Sequence, residues 1–451
     1  MPEPDAVPPR ERSPVVVVGG GWAGLAAAVS LCRQGMPVTL LEAAPRLGGR
    51  ARVIEAGDQR LDNGQHLIIG ACHALLDLLR TLGVEERLAF RRFPLRLEMH
   101  SPAGLALGLA PPALPAPLHL FMALGLARGL DAGSRLRALR GCLALAGAGG
   151  DDEPLGAFLA RHGQTETLRR RLWEPLCLAM LNTPLAVAST RVFAATLKTV
   201  FARHRRDADL LIPRGDLEAL LPEPARCWIE AHGGRVITGC RVTALELAEG
   251  RIAAVITRDG RRLGVERLIL ALPPRACRRL LSPHPVFRTV TQRLAALRTS
   301  PISTVYLRYT PAVRLAQPML GLLEMTGQWL FDRGYSGQPG LMAVVISGPG
   351  PHMAMDRQAL ATRVAEELAA LFPRWPLPRD IRVVREKQAT FLCHSGVEAL
   401  RPAPSTPVAN CWLAGDHVDT GLPATLEGAV RSGIHSARSL MRHGGEAAAL
   451  P

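Results

Sequence analysis

Two glycine-rich segments near opposite ends of this 451-residue chain constrain its fold more than anything else in it. The first reads Val15-Val16-Val17-Val18-Gly19-Gly20-Gly21-Trp22-Ala23-Gly24, and the next apolar run, Pro37 to Leu41, ends at Glu42. The valines predict a parallel strand buried on both faces. Gly19 permits a tight turn, Gly21 lets backbone approach a pyrophosphate, and Gly24 lets a helix over Ala23–Gln34 pack closely on the strand. The helix N-terminus offers free N–H groups and a positive dipole end to phosphate. Glu42 falls where a carboxylate meets ribose hydroxyls. Strand, helix, second strand and acid in register predict a dinucleotide-binding unit rather than a mere glycine-rich turn.

The second segment is Trp412-Leu413-Ala414-Gly415-Asp416-His417, followed by Pro423-Ala424-Thr425-Leu426-Glu427-Gly428-Ala429. Ala429, Val430, Ile434, Ala437, Leu440 and Met441 predict a helix from about Leu426 to His443. Just past Glu42 lies Leu47-Gly48-Gly49-Arg50-Ala51, with glycines for close backbone approach and a fixed cation. The Glu-x5-GGR pattern and the Gly415-Asp416 pair resemble the flavin-containing amine oxidase and phytoene desaturase superfamily. The resemblance implies an α/β fold, a Rossmann-like FAD-binding domain interleaved with an α+β substrate domain. It implies noncovalent FAD held by Gly19, Gly21, Gly24, Glu42, Gly49, Arg50, Val242, Gly415, Asp416, Thr425 and Leu426. In it Val242 meets adenine through backbone, Asp416 meets the ribityl chain, and the helix at Leu426 points its N-terminus at the flavin, favouring the anionic reduced form.

Gly215-Asp216 predicts a helix start. Arg235–Ile237, Arg241–Leu247, Arg251–Thr257 and Leu268–Leu272 read as successive strands, with turns at Glu249-Gly250 and Asp259-Gly260. They resemble the superfamily's β-meander, the last of them returning to the main sheet. The expected division is 13–85, 208–284 and 396–445 for the FAD domain and 86–207 with 285–395 for the substrate domain. Residues 1–12 and 446–451 are expected to be flexible tails.

Leu61-Asp62-Asn63-Gly64-Gln65-His66, Met180-Leu181-Asn182-Thr183-Pro184 and Asp419-Thr420-Gly421-Leu422-Pro423-Ala424-Thr425 narrow the resemblance. Together they are similar to the hydroxysqualene dehydroxylases, also described as squalene-associated FAD-dependent desaturases. That implies reduction of an allylic alcohol, hydroxysqualene, to squalene in squalene and hopanoid synthesis, with a further partner to reduce FAD. A carotenoid-type desaturase on the same scaffold, running oxidatively, is the alternative. A non-catalytic prenyl-lipid carrier of this fold would lack the flavin residues present here. Amine oxidases of the superfamily cage the amine between aromatics, yet Leu426 stands at one cage position. Cys393 lies near where some of them attach flavin covalently, but without the glycine context. Candidate proton donors are His66 and Asp62; Asp62 also suits a turn anchor, and His66 a packed histidine. Asn182 suits a pocket wall or a turn cap, and His394 and His417 are weaker donor candidates.

With 48% hydrophobic residues the chain can bury a large core. Nine scattered cysteines without a CxxC pair argue for a reducing compartment and against a zinc site. Met1–Ser13 has no apolar core, so no secretory signal is expected there. The net charge of +15 is nearly all arginine, since only Lys198 and Lys387 are lysines. Only 4% of residues are aromatic and no recognition motif is present, which argues against nucleic acid. An anionic membrane surface suits the charge better, giving a cytoplasmic protein peripheral on the inner face of the membrane. Leu105–Leu130 is strongly apolar, broken by Pro111, Pro112, Pro115 and Pro117, and followed by Arg135, Arg137 and Arg140. The prolines exclude a straight spanning helix; a dip into one leaflet and a buried lid both fit.

Overall fold

In a computed structural model of the chain, residues 14–57 and 59–446 are described. The expected tails lie outside them, apart from Glu446, which ends the last helix. The valines form the fully buried strand Val15–Val18. It is the centre of a five-stranded sheet ordered Arg235–Ile237, Val38–Leu41, Val15–Val18, Leu268–Leu270, Cys411–Leu413. Every neighbouring pair is parallel, which explains why these strands are apolar runs rather than alternating ones.

Helix Trp22–Cys32 follows the first strand and packs on the last helix, Leu426–Glu446. A Cβ at Gly433 would stand 2.1 Å from the Ala23 carbonyl oxygen, so the two helix backbones touch where only glycine fits. This contact brings the N-terminal and C-terminal motifs to one end of the sheet, beyond the C-terminal ends of Val15–Val18 and Cys411–Leu413.

Arg235–Ile237 is not part of the meander expected for it. It follows helix Pro222–Ala231, and a strand reached through a helical crossover joins in parallel; Val236 lies opposite Leu40. The antiparallel meander is Val242–Ala248, Arg251–Thr257 and Arg262–Gly264, the last too short and polar to be expected. Glu249 and Gly250, at φ of 50° and 71°, make the turn that joins its first two strands.

A seven-stranded sheet takes strands from both 86–207 and 285–395, in the order Asp380–Phe391, Thr299–Arg308, Leu341–Ser347, Trp329–Asp332, Met319–Leu322, Leu97–Ser101, Gly104–Leu109. The apolar stretch at 105–130 divides in two. Gly104–Leu109 is an edge strand with Ala106, Leu107 and Leu109 buried. Helix Leu118–Gly125 buries His119, Ala123 and Leu124 but leaves Leu118, Met122 and the following Leu126 exposed. It is therefore neither a wholly buried lid nor a continuous apolar dip. No described helix is long and apolar enough to cross a membrane.

Candidate active site

The turn after the first strand needs its glycines for stated reasons. Gly19 sits at φ 112°, and a Cβ on Gly24 would lie 1.9 Å from the Gly19 carbonyl oxygen. Gly20 N–H donates to Glu42 Oε2 at 2.6 Å and Ala44 N–H to Oε1 at 2.7 Å. The carboxylate is thus held by backbone with lone pairs to spare for hydroxyls. Gly48 N–H donates to the Gly20 carbonyl, and a Cβ on Gly49 would reach 3.1 Å from Gly21 Cα. Any side chain there would fill the slot between the two glycine loops.

The C-terminal motif closes the same space. Arg50 donates to Asp416 Oδ1 at 2.5 Å and to the Ala389 carbonyl at 2.8 Å. Burial alone would raise the Asp416 pKa, but the Arg50 guanidinium beside it outweighs that and holds the carboxyl well below its usual range. It is a fixed anion beside a fixed cation. Gly415 N–H donates to Ser432 Oγ, and Thr425 Oγ1 accepts from Gly428 N–H, capping the last helix. Buried Arg401 binds the carbonyls of Leu422, Asp416 and Val418, shaping the loop between motif and helix. Glu427, next in the motif, accepts from Ala74 and Leu75 N–H at the start of helix His73–Thr81.

Gly19, Gly21, Glu42, Gly49, Arg50, Val242, Gly415, Asp416, Thr425 and Leu426 all line one cavity of about 570 Å³. Paired glycine loops, a backbone-held carboxylate and a fixed ion pair along one cavity fit a flavin dinucleotide. The same cavity continues to Asn63, Gln65, His66, Ile302, Thr304, Val384 and Glu386.

His66 Nδ1 lies 3.2 Å from the Gly64 carbonyl oxygen. With Nδ1–H donating there, Nε2 is the ring atom free to carry an exchangeable proton. Burial draws the imidazolium pKa below the ordinary 6.5, opposed by nearby Asp62. Asp62 itself is corrected as a proton donor. It does not line the cavity; its Oδ2 accepts from Arg333 at 2.8 Å, both side chains are buried, and Oδ1 accepts from Leu217 N–H. It locks the turn instead. Asn182, at φ 49°, is a turn cap: Oδ1 accepts from Gly348 N–H and Nδ2 donates to Thr390 Oγ1 and the Pro301 carbonyl. His394 and Cys393 do not line the cavity. His417 lies behind Asp416, 3.9 Å from it, too far for a hydrogen bond.

Thr304 and Glu386 were invisible in the sequence. Both sit on long strands of the seven-stranded sheet, and only the pairing of Thr299–Arg308 with Asp380–Phe391 aims them at this cavity. The Thr304 hydroxyl is buried without a partner among the described residues. Glu386 accepts from Asn63 Nδ2 at 3.3 Å.

Fold and site together define a flavin-dependent oxidoreductase. The chain matches the family described as flavin containing amine oxidoreductase over residues 22–441, and it belongs to that family; its cofactor is FAD. It is 32% identical to hydroxysqualene dehydroxylase of Rhodopseudomonas palustris over 95% of this chain and 99% of that one. It is 24% identical to zeta-carotene desaturase of Synechocystis over 95% and 97%. Among solved structures, cyclohexylamine oxidase from Brevibacterium oxydans superposes with a TM-score of 0.69 at 20% identity, over 96% of this chain and 100% of the other.

Proposed function

We propose that the protein reduces hydroxysqualene to squalene. The observation that carries this reading is the wall of the reaction end. Ile302, Val384, Ala389, Ala424 and Leu426 supply hydrocarbon, and Trp22 is the one Phe, Tyr or Trp lining the cavity among the described residues. Trp22 belongs to the dinucleotide turn, where its Nε1 donates to the Ala51 carbonyl. Among the described residues no aromatic pair lines this cavity to hold an ammonium, whereas a polyisoprenoid needs only apolar surface and one polar anchor. Greater identity to the dehydroxylase than to the carotene desaturase supports the same choice.

Reduced flavin supplies hydride in such a reaction. The chain's own residues do the rest. Gly19–Gly24, Glu42 and Arg50 hold the dinucleotide, and the ribityl contact falls to Asp416. Thr304 Oγ1 anchors the allylic hydroxyl, and His66 Nε2 delivers the proton that lets it leave as water. The aliphatic wall keeps bulk water from the allylic cation. This reading assigns 13–85, 208–284 and 396–445 to FAD and 86–207 with 285–395 to substrate.

A lipid substrate also gives the exposed stripe Leu118, Met122 and Leu126 a purpose. The helix packs on Ala132–Ala146, which exposes Arg137 and Arg140. Apolar contact with one leaflet and arginines at anionic headgroups would hold the protein on the inner face of the membrane. Flotation with acidic liposomes at low salt tests this; a protein that stays at the bottom of the gradient removes the membrane role.

The reaction is tested by incubating dithionite-reduced, FAD-loaded protein with hydroxysqualene without oxygen, and oxidised protein with phytoene. Squalene from the first is expected. A desaturated product from the second, with none from the first, would put the oxidative reading in its place.

A further inference from the structure

Between Glu266 and Glu324 the chain holds nine arginines and no Asp or Glu. Helices Pro274–Leu281 and Arg288–Ala296 lie in this stretch and pack on each other. Arg275, Arg278 and Arg279, spaced to share one helix face, line a surface cleft with Ser282, Thr291 and Gln292. Arg275 and Arg278 also line an adjoining pocket that adds Arg298 and reaches Arg50, Asp416 and His417 of the flavin site. None of these four exposed arginines has an ion-pair partner among the described residues.

Elsewhere a neighbouring acid neutralises an arginine, as Glu223 and Glu230 do Arg226. Four guanidiniums left together repel one another and focus a positive field into the cleft. Their planar forks match phosphate oxygens, and the Gln292 amide alongside adds a further donor; the Ser282 and Thr291 hydroxyls donate instead to the Arg278 and Arg288 carbonyls. A second observation lies deeper. His417 is 1% exposed, yet neither ring nitrogen has a hydrogen-bond partner among the described residues. Buried polar groups are rarely left so, and this one lines the pocket into which the arginines lead.

We propose that the cleft seats the pyrophosphate of a soluble pyridine dinucleotide, the reductant of the flavin. The inference rests on the reductive reading above. The C4–H bond of the dihydropyridine breaks, its hydride passes to FAD with one proton from water, and the ring leaves as the pyridinium. Arg275, Arg278 and Arg298 steer and hold the phosphates, and the pocket that these three line reaches Arg50 and Asp416 of the flavin site.

The test titrates FAD-loaded protein calorimetrically with NAD+, NADP+ and inorganic pyrophosphate. One dinucleotide is expected to bind with one-to-one stoichiometry, to be displaced by pyrophosphate, and to weaken as salt rises. The double variant Arg275→Ala/Arg278→Ala should lose affinity by roughly 10²-fold, through two charged hydrogen-bonding groups. Its flavin content and its turnover after dithionite reduction should be unchanged. Absence of dinucleotide binding, or equal binding by the variant, overturns the proposal. Acidic phospholipid vesicles captured by the parent protein but not by the variant, with no dinucleotide bound, overturn it in favour of a lipid contact. Dithionite-driven turnover keeps the two readings apart: its failure sinks the reaction, while the binding result stands separately.

Discussion

The two ends of the cavity are built from different materials. At the dinucleotide end the surface is backbone: Gly19, Gly21, Gly48 and Gly49 leave no side chain between the loops, and Gly20 and Ala44 N–H groups hold Glu42. At the reaction end the surface is side chains. His66, Thr304 and Glu386 arrive from three separate segments and meet only because strands distant in sequence pair. A backbone surface tolerates little substitution at its glycines: a Cβ collides at Gly19 and Gly48 and is tight at Gly49, while one on Gly21 would project into the slot between the loops. A side-chain surface can lose one group and keep its shape. Loss of binding should therefore mark the first end, and loss of chemistry the second.

The harshest way to break this contrast is Gly24→Val. With a Cβ already 1.9 Å from a carbonyl oxygen, helix Trp22–Cys32 must leave the strand. Purified variant protein should carry no flavin, as read from its absorbance ratio. A yellow, fully loaded variant would mean the helix has room that the geometry denies.

At the other end, His66→Ala should lower turnover by roughly 10²–10⁴-fold, the usual contribution of a positioned acid, with FAD retained. A pH profile sharpens it. The proton on Nε2 is present only in the imidazolium, and burial holds that pKa below 6.5. So kcat/KM should be flat at low pH and fall as pH rises through a value below 6.5. Full activity in His66→Ala would pass the role to Glu386 on the same cavity.

The same contrast explains what the sequence disclosed. The dinucleotide end is a local motif: strand, turn, helix and acid occupy Val15–Glu42, and each glycine has a reason within a few residues. Gly415-Asp416 was legible through its resemblance. The reaction end was half legible. His66 stands in a recognisable string, but Asp62 in the same string could not be told from a catalyst until Arg333 appeared beside it. Thr304 and Glu386 carry no local mark, because their direction depends on the register between two strands and not on their neighbours in the chain. Arg235–Ile237 failed for a related reason: three residues of strand do not say which sheet they join.

Asp62→Asn separates the two roles once given to that carboxylate. It leaves Arg333 buried without a counter-charge, which should cost about 3–5 kcal/mol of stability. The protein that remains folded should keep most of its turnover per flavin, measured alongside thermal unfolding. Because Asp62 raises the His66 pKa, the falling limb of the pH profile should also move to lower pH. Stability unchanged and turnover abolished would return Asp62 to the chemistry.

The gentlest probe returns to the backbone-built end. Glu42 is the side chain proposed to meet the cofactor's hydroxyls, yet both of its oxygens are already engaged by Gly20 and Ala44 N–H. Glu42→Ala removes the charged acceptor and frees those two N–H groups to find water, so part of the loss is recovered. The remaining loss, one charge-assisted contact to ribose, is about 1–3 kcal/mol in FAD affinity. Measured by flavin fluorescence on apoprotein, that is a weakened but intact site, with turnover at saturating FAD close to the parent's. Unchanged affinity would show that Glu42 serves the turn alone. A complete loss of binding would show that the carboxylate, and not the glycines, holds the two loops in place.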